Sequence, residues 1–314
     1  EGNKVTIKFR EQPSYIIKEQ SSGKLVLGFV PKITAVNLHP AEDGEILTIE
    51  SLGFIWPDMA RNGSFVNMFL PGASYAGETN RLSGNLLGAV SISSDDDGVG
   101  LLLDASQSSS YLLKKNANSI EAVFSNPGLR GKVIVLDPGH GGSDPGATGP
   151  TGYNERIANW EIAIRLKELL ESAGAQVILT RLGIFENAPP PEDWSPDIDE
   201  YGGDLAKRAA WSSQAHAFVS IHNDAHSDKN MCGTTTYLCP EILNASESRN
   251  KGVREANFFV NRESHCPSVL VEVMYLSNSR EEGLLKQENI QSSAAQGIFR
   301  ALEQYFSPAA PAAS

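Results

Sequence analysis

Apolar and polar positions alternate with a period of two through the first 124 residues, then change to a mixed pattern of buried-strand runs and helical spacing. Val5, Ile7 and Phe9 are apolar between Lys4, Thr6 and Lys8, and similar short runs recur at 24–29, 65–70 and 86–92, which predicts β-strands with one face turned to a core. A repeat supports this reading. The succession 5–9, Ser14-Tyr15-Ile16-Ile17-Lys18 and 25–29 is echoed by 101–105, Ser110-Tyr111-Leu112-Leu113-Lys114 and 120–124, in step except for one residue.

Residues 125–131 have no periodicity and carry Asn126, Pro127, Gly128 and Gly131, the composition of a linker. Beyond them strands alternate with helices. Asn154 is placed to cap a helix whose Glu155 and Glu161 suit its positive end. Ile162, Leu166, Leu169 and Leu170 fall on one face of that helix, Gly174 ends it, and 176–180 reads as the next strand. The chain is therefore expected to hold an all-β N-terminal domain over 1–128, an α/β domain of mixed sheet flanked by helices over 129–306, and a disordered Pro/Ala tail over 307–314. The stretch 184–203, rich in Pro, Asp and Glu, fits no regular element and reads as a surface loop beside a site.

With 314 residues and 40% apolar content, the chain can build two cores. No apolar run is long enough to span a bilayer, so no membrane span is expected, and no basic and apolar leader opens the chain at Glu1. A net charge of -12 with few adjacent basic residues argues against nucleic acid as a partner. Cys232, Cys239 and Cys266 lack the close spacing of a structural zinc knot and read as small strand residues, with a disulfide from Cys266 to one of the others as the competing reading.

The chemistry gathers where three apolar runs end. Run 132–137 leads into Pro138-Gly139-His140-Gly141-Gly142, run 217–221 into His222-Asn223-Asp224, and run 268–271 into Glu272. In α/β domains the carboxyl ends of strands are where ligand sites collect. A catalytic zinc takes three protein ligands, and His140, Glu155 and His222 offer such a set, with His226 a rival to His222. Taken alone, Glu155 reads first as an acid of the helix's first turn favoured by the dipole, ahead of a metal ligand. Glu272 interrupts the apolar run 269–274, where an unpartnered acid is costly to bury, so something must hold it.

These residues resemble the zinc-dependent N-acetylmuramoyl-L-alanine amidases of the amidase 3 family. The resemblance lies in 133–142, Asn154-Glu155 with Asn159, 220–224, and 269–273 with Leu276-Ser277-Asn278, in one order over roughly 130–306. It implies His140, Glu155 and His222 as ligands of one Zn2+ and Glu272 as the catalytic acid and base. It also implies hydrolysis of the amide joining the lactyl group of N-acetylmuramic acid to L-alanine of the peptidoglycan stem peptide. Peptidoglycan as partner, a protein activator, and a periplasmic or extracellular, wall-associated location follow from it.

Two departures stand out. Members of the family carry a longer helix where only 239–251 stands here, the region that holds an autoinhibitory helix in some division amidases, and Met274-Tyr275 replaces the usual Gly-Phe after the acid. The N-terminal half weakly resembles the AMIN modules that localise such amidases to the wall, with an unrelated β domain as the alternative. Competing functions are a zinc peptidase acting on stem peptides and a silent peptidoglycan-binding protein. A phosphate-cradling reading of 137–142 fails because the GK[ST] ending and the dinucleotide glycine spacing are missing.

Overall fold

The computed structural model describes residues 14–21, 24–53, 55–77, 82–108, 110–192, 199–237, 250–254 and 256–307. The expected strand at 5–9, Cys239, nearly all of 239–251 and the tail from 308 lie outside them. The chain divides between Asn126 and Pro127 into two compact units.

In the first unit a hairpin of β1 (Ser14–Ser21) and β2 (Lys24–Val30) forms a two-stranded sheet. The other strands are β3 (Lys32–Ala41), β4 (Gly44–Leu52), β5 (Asp58–Asn62), β6 (Phe65–Pro71), β7 (Ser74–Tyr75), β8 (Val90–Ser94), β9 (Gly98–Asp104), β10 (Ser110–Lys115) and β11 (Ser119–Ser125). They make a five-stranded sheet, β10-β11-β4-β3-β7, and a four-stranded one, β5-β6-β9-β8. Alternating residues Leu47, Ile49, Ala122 and Phe124 of the first share one core with Val66, Met68, Leu70, Val99, Leu101 and Leu103 of the second. The repeat seen in the sequence starts in the same register twice, Tyr15 opposite Phe29 and Tyr111 opposite Phe124, in two different sheets, and parts where the first hairpin shifts register between Ile17 and Glu19. The expected strand 86–92 is shorter, starting at Val90. Leu86 and Leu87 are buried in a turn whose backbone N–H groups donate to the Glu45 carboxylate at 3.0 and 2.9 Å, so their apolar pattern reports burial rather than a strand.

The second unit is a six-stranded mixed sheet with helices. Its strands are β12 (Val133–Pro138), β13 (Gln176–Leu179), β14 (Ala217–Asp224), β15 (Thr234–Tyr237), β16 (Asn250–Val253) and β17 (Ser268–Tyr275), in the order β13-β12-β14-β17-β15-β16. The first four run parallel and β15 opposes β17. The helices are α1 (Glu155–Ser172), α2 (Asp199–Ala210), α3 (Phe259–Arg262), α4 (Ser279–Leu285) and α5 (Glu288–Tyr305). Ile162, Leu166 and Leu170 of α1 and Ala294, Ile298 and Leu302 of α5 pack with Ile134, Leu136, Val219, Val271 and Val273 of the sheet.

Three expectations change here. Both β14 and β17 continue past the residues expected to end them, because Glu272 has register partners on both sides, His222 and Thr235. Asn154 has extended backbone at the helix N-cap, but its side chain turns away to Thr148 Oγ1 at 3.1 Å. The carbonyls of Ala147 and Pro145 accept the first-turn N–H groups of Glu155 and Arg156 instead. The C-terminal part of the supposed loop 184–203 is helical, since α2 opens at Asp199; two adjacent glycines and an acidic start hide its period. Cys232 and Cys266 are free thiols.

Candidate metal centre

His140, Glu155 and His222 come from three elements and meet at the carboxyl ends of β12 and β14. His140 sits two residues beyond β12 with φ of 62°, a positive φ that Gly141 and Gly142 after it share. The Gly139 N–H donates to Ile221 O at 2.9 Å, tying the turn to the neighbouring strand. A Cβ on Gly139 would lie 2.1 Å from the His222 ring, so only glycine lets the two ligand segments approach this closely. Glu155 is the first residue of α1, and the loop 146–154 folds back to deliver it.

The Glu155 carboxylate lies between the two imidazoles. Its Oε2 is 3.1 Å from His140 Nε2 and its Oε1 3.0 Å from His222 Nδ1. It also accepts the N–H groups of Ala147 (2.8 Å) and Asn223 (3.1 Å). Burial would raise its pKa, but the bonds and charges of the two histidines hold it well below the usual carboxylate range. Burial would likewise lower His140, yet its bonds to Glu155 and Asp144 raise it to about 9, and His222 is raised for the same reason. The three donor atoms lie within 4.8 Å of one another. Ligands of a tetrahedral zinc are roughly 3.4 Å apart, so small side-chain shifts would let this set hold one ion. A second feature fits the same use: His140 Nδ1 is 2.8 Å from Asp144 Oδ2, the carboxylate–histidine pairing that orients a metal-binding imidazole.

Glu272 lies beside His222 on the neighbouring strand. Its Oε2 is buried and has no hydrogen-bond partner among the described residues. Burial pushes this carboxyl up to about 8 against the lowering pull of His222, with the negative charges of Glu155 and Asp224 adding to the rise. His226 is not in the cluster. Its N–H donates to Ser277 Oγ and its Nδ1 accepts the Asp228 N–H at 3.0 Å, which makes it a loop residue.

The supporting residues were not visible in the sequence as a set. Asp137 is buried and accepts from Thr180 Oγ1 (2.6 Å), Ser220 Oγ (2.7 Å) and Arg208 Nη1 (2.9 Å). Arg208, on α2, also donates to the carbonyls of His140 (2.6 Å) and Pro138 (3.3 Å), clamping the turn that presents the ligand. Asn159 donates to Gly139 O (3.1 Å) and accepts from Asn223 Nδ2 (2.8 Å), linking all three ligand segments. Asp144, four residues from His140, is the one local signal that a search around the motif would have found.

Fold and site together define an α/β domain with a candidate three-donor metal centre and an acid beside it. Residues 134–304, more than half of the chain, match the model of the N-acetylmuramoyl-L-alanine amidases, and the chain belongs to that family. Among relatives, the probable cell wall amidase LytH of Staphylococcus epidermidis is 34% identical over 206 residues, 61% of this chain and 64% of that protein. Its Staphylococcus aureus counterpart is 34% identical over 196 residues, 58% of this chain and 60% of that one. The chain thus spans less than two-thirds of the relatives it matches. The catalytic domain of CwlV, an N-acetylmuramoyl-L-alanine amidase from Bacillus (Paenibacillus) polymyxa var. colistinus, aligns with a TM-score of 0.47 and 32% identity, covering 55% of this chain and 97% of that domain.

Proposed function

We propose that this chain is a zinc-dependent peptidoglycan hydrolase that cleaves the amide between the lactyl group of N-acetylmuramic acid and L-alanine of the stem peptide. The observation that carries it is the juxtaposition of the His140, Glu155 and His222 donors with the unpartnered buried oxygen of Glu272. Family membership and the cell wall amidases among the relatives support the choice of substrate. Held by those three residues, zinc would supply Lewis acidity toward the scissile carbonyl and make water more acidic.

The remaining steps belong to the chain. Glu272 Oε2 takes a proton from the attacking water as its oxygen bonds to the carbonyl carbon; the C–N bond then breaks and Glu272 gives the proton to the departing alanine nitrogen. Asp144 and Arg208 keep the His140 ring and its turn in place. The first unit is assigned the role of an AMIN-like wall-targeting module, supported by its two repeat hairpins, which pair alike up to a register shift in the first. The place of action is then outside the cytoplasm, at the wall, with a protein activator as a further partner. No helix among the described residues is long and apolar enough to cross a membrane.

Metal analysis and digestion of purified peptidoglycan, with and without a chelator, test the reading. About one zinc per chain and chelator-sensitive release of intact stem peptides are expected. Cleavage inside the stem peptide, or release that survives chelation, overturns it.

A further inference from the structure

We propose that Glu282 is a positioning residue for the candidate metal ligand Glu155, acting from α4 through the loop 147–154; this rests on the metal-centre reading above. Glu282 is 1% exposed, although it follows the reacting segment by ten residues and touches none of the three donors. Its carboxylate accepts the Thr151 hydroxyl at 2.6 Å, the Thr151 N–H at 3.0 and 3.3 Å, and the Tyr153 N–H at 3.4 Å. Lys286 lies 3.7 Å from it. The loop packs closely on this carboxylate: a Cβ on Gly149 would sit 2.4 Å from Glu282 Oε1.

What this grip controls is the entry to α1. The loop closes on itself through Gly149 N–H to Tyr153 O (2.9 Å) and a bridge between Thr148 and Asn154. Glu155 follows at once, its N–H bonded to Ala147 O (2.9 Å) and its Oε2 receiving the Ala147 N–H (2.8 Å). The chain therefore passes from the Glu282 anchor to the ligand within four residues of Thr151. On its other side Glu282 is tied to the strand bearing Glu272, because its N–H donates to Asn278 O (2.8 Å) and the Asn278 N–H to Tyr275 O (3.0 Å). One residue thus links, by its carboxylate and its backbone, the loop that delivers a metal donor to the strand that delivers the acid.

Glu281 is the internal control. It is just as buried and sits next to Glu282 in the first turn of α4, but it accepts the N–H groups of Gly233 (2.8 Å) and Tyr275 (2.7 Å), which lie outside the loop 147–154. Loss of either acid costs stability, and loss of Glu282 frees the Glu155 loop.

The test is zinc affinity and the visible spectrum of the cobalt-loaded full-length chain for Glu282→Ala, Glu282→Gln, Thr151→Val and Glu281→Gln. Residues that orient a ligand typically change metal affinity by about 10–100-fold when removed. Glu282→Ala is expected to weaken zinc in that range and shift the cobalt bands. Glu282→Gln, which keeps an acceptor, should recover part of the affinity. Thr151→Val removes the hydroxyl that donates to Glu282 but keeps the Thr151 N–H donor and leaves the acid in place, so it perturbs the fold less than Glu282→Ala; it is expected to weaken zinc several-fold, about as Glu282→Gln does. Glu281→Gln should leave affinity and spectrum as in the parent. Unchanged zinc affinity in both Thr151→Val and Glu282→Gln, or equal losses in Glu281→Gln and Glu282→Gln, overturns the role. A parent chain that takes no metal overturns the metal centre and this role together, whereas a parent that binds zinc without cleaving peptidoglycan leaves the comparison intact.

Discussion

Two residues carry opposite electrostatic burdens. Glu155 is an anion stabilised by five donors, whereas Glu272 is a carboxyl with an oxygen that nothing among the described residues satisfies. A buried group without a partner is costly to folding, and such groups persist where function requires them. Glu272→Gln is therefore expected to lose about 10²–10⁴-fold in turnover while zinc content stays at the parent level. Stoichiometry and kinetics on one preparation check this, and a variant that turns over normally removes Glu272 from the reaction. The same carboxyl makes a pH prediction for the metal-free protein. Its ordinary value is 4.5 and burial raises it to about 8 in the folded chain, so the folded state holds a proton that the unfolded state has released. Its contribution is fully present below pH 4.5 and is lost as pH rises to 8. Glu272→Gln escapes that loss, and its melting temperature should pull ahead of the parent across this window; a constant gap would refute the shift. At His140, raised to about 9, zinc must displace a proton, so apparent zinc affinity should climb by about tenfold per pH unit for each proton displaced and level off near pH 9. Competition with a chromophoric chelator between pH 6.5 and 9.5 measures it, and a flat profile is the contrary outcome.

Elements explain which of these residues could be read from the chain. The strand ends leading to His140 and His222 are legible because an apolar run followed by glycines or by His-Asn-Asp can hardly be anything but a buried strand opening into a site. Glu272 was legible through its cost, an acid inside an apolar run, though not its mid-strand position, which depends on β15 pairing from a distant segment. Helix α2 was missed because Gly202 and Gly203 interrupt its pattern, and with it Arg208, whose importance is wholly tertiary. Arg208 spans from α2 to Asp137 and to the carbonyl of His140. Arg208→Met should strand the buried Asp137 charge and cost about 3–5 kcal/mol, with a loss of zinc affinity as the His140 turn loosens. Adding Asp137→Asn removes the uncompensated charge and should restore part of the stability but not the affinity. Denaturant unfolding and zinc titration of the two variants separate the effects; recovery of both together would place Arg208 outside the support of His140.

At the scale of the whole molecule, each unit contains what folding needs. The first encloses the core of Leu47, Phe124, Met68 and Leu101 between its two larger sheets; the second packs α1 and α5 onto a mixed sheet and holds all three candidate donors, Glu272, Glu282 and Arg208. The change of period near residue 125 made this division readable, whereas the pairing of the repeat hairpins into different sheets was not, since strand partners in a β domain are chosen by non-local packing. A chain beginning at Pro127 is accordingly expected to unfold in one cooperative step on its own core. Because the three candidate donors meet only in the folded site, zinc held there would add its free energy to that step as RT ln(1 + [L]/Kd), about 2.7 kcal/mol at a hundredfold excess over Kd. Calorimetry of the 127–314 chain with zinc and with chelator should show a single transition that metal moves upward, and Glu155→Ala should abolish the movement while leaving the transition itself. A transition absent from this chain would mean that its core is incomplete without the first unit. One insensitive to zinc would mean that the three donors, though assembled by the fold, do not hold the ion.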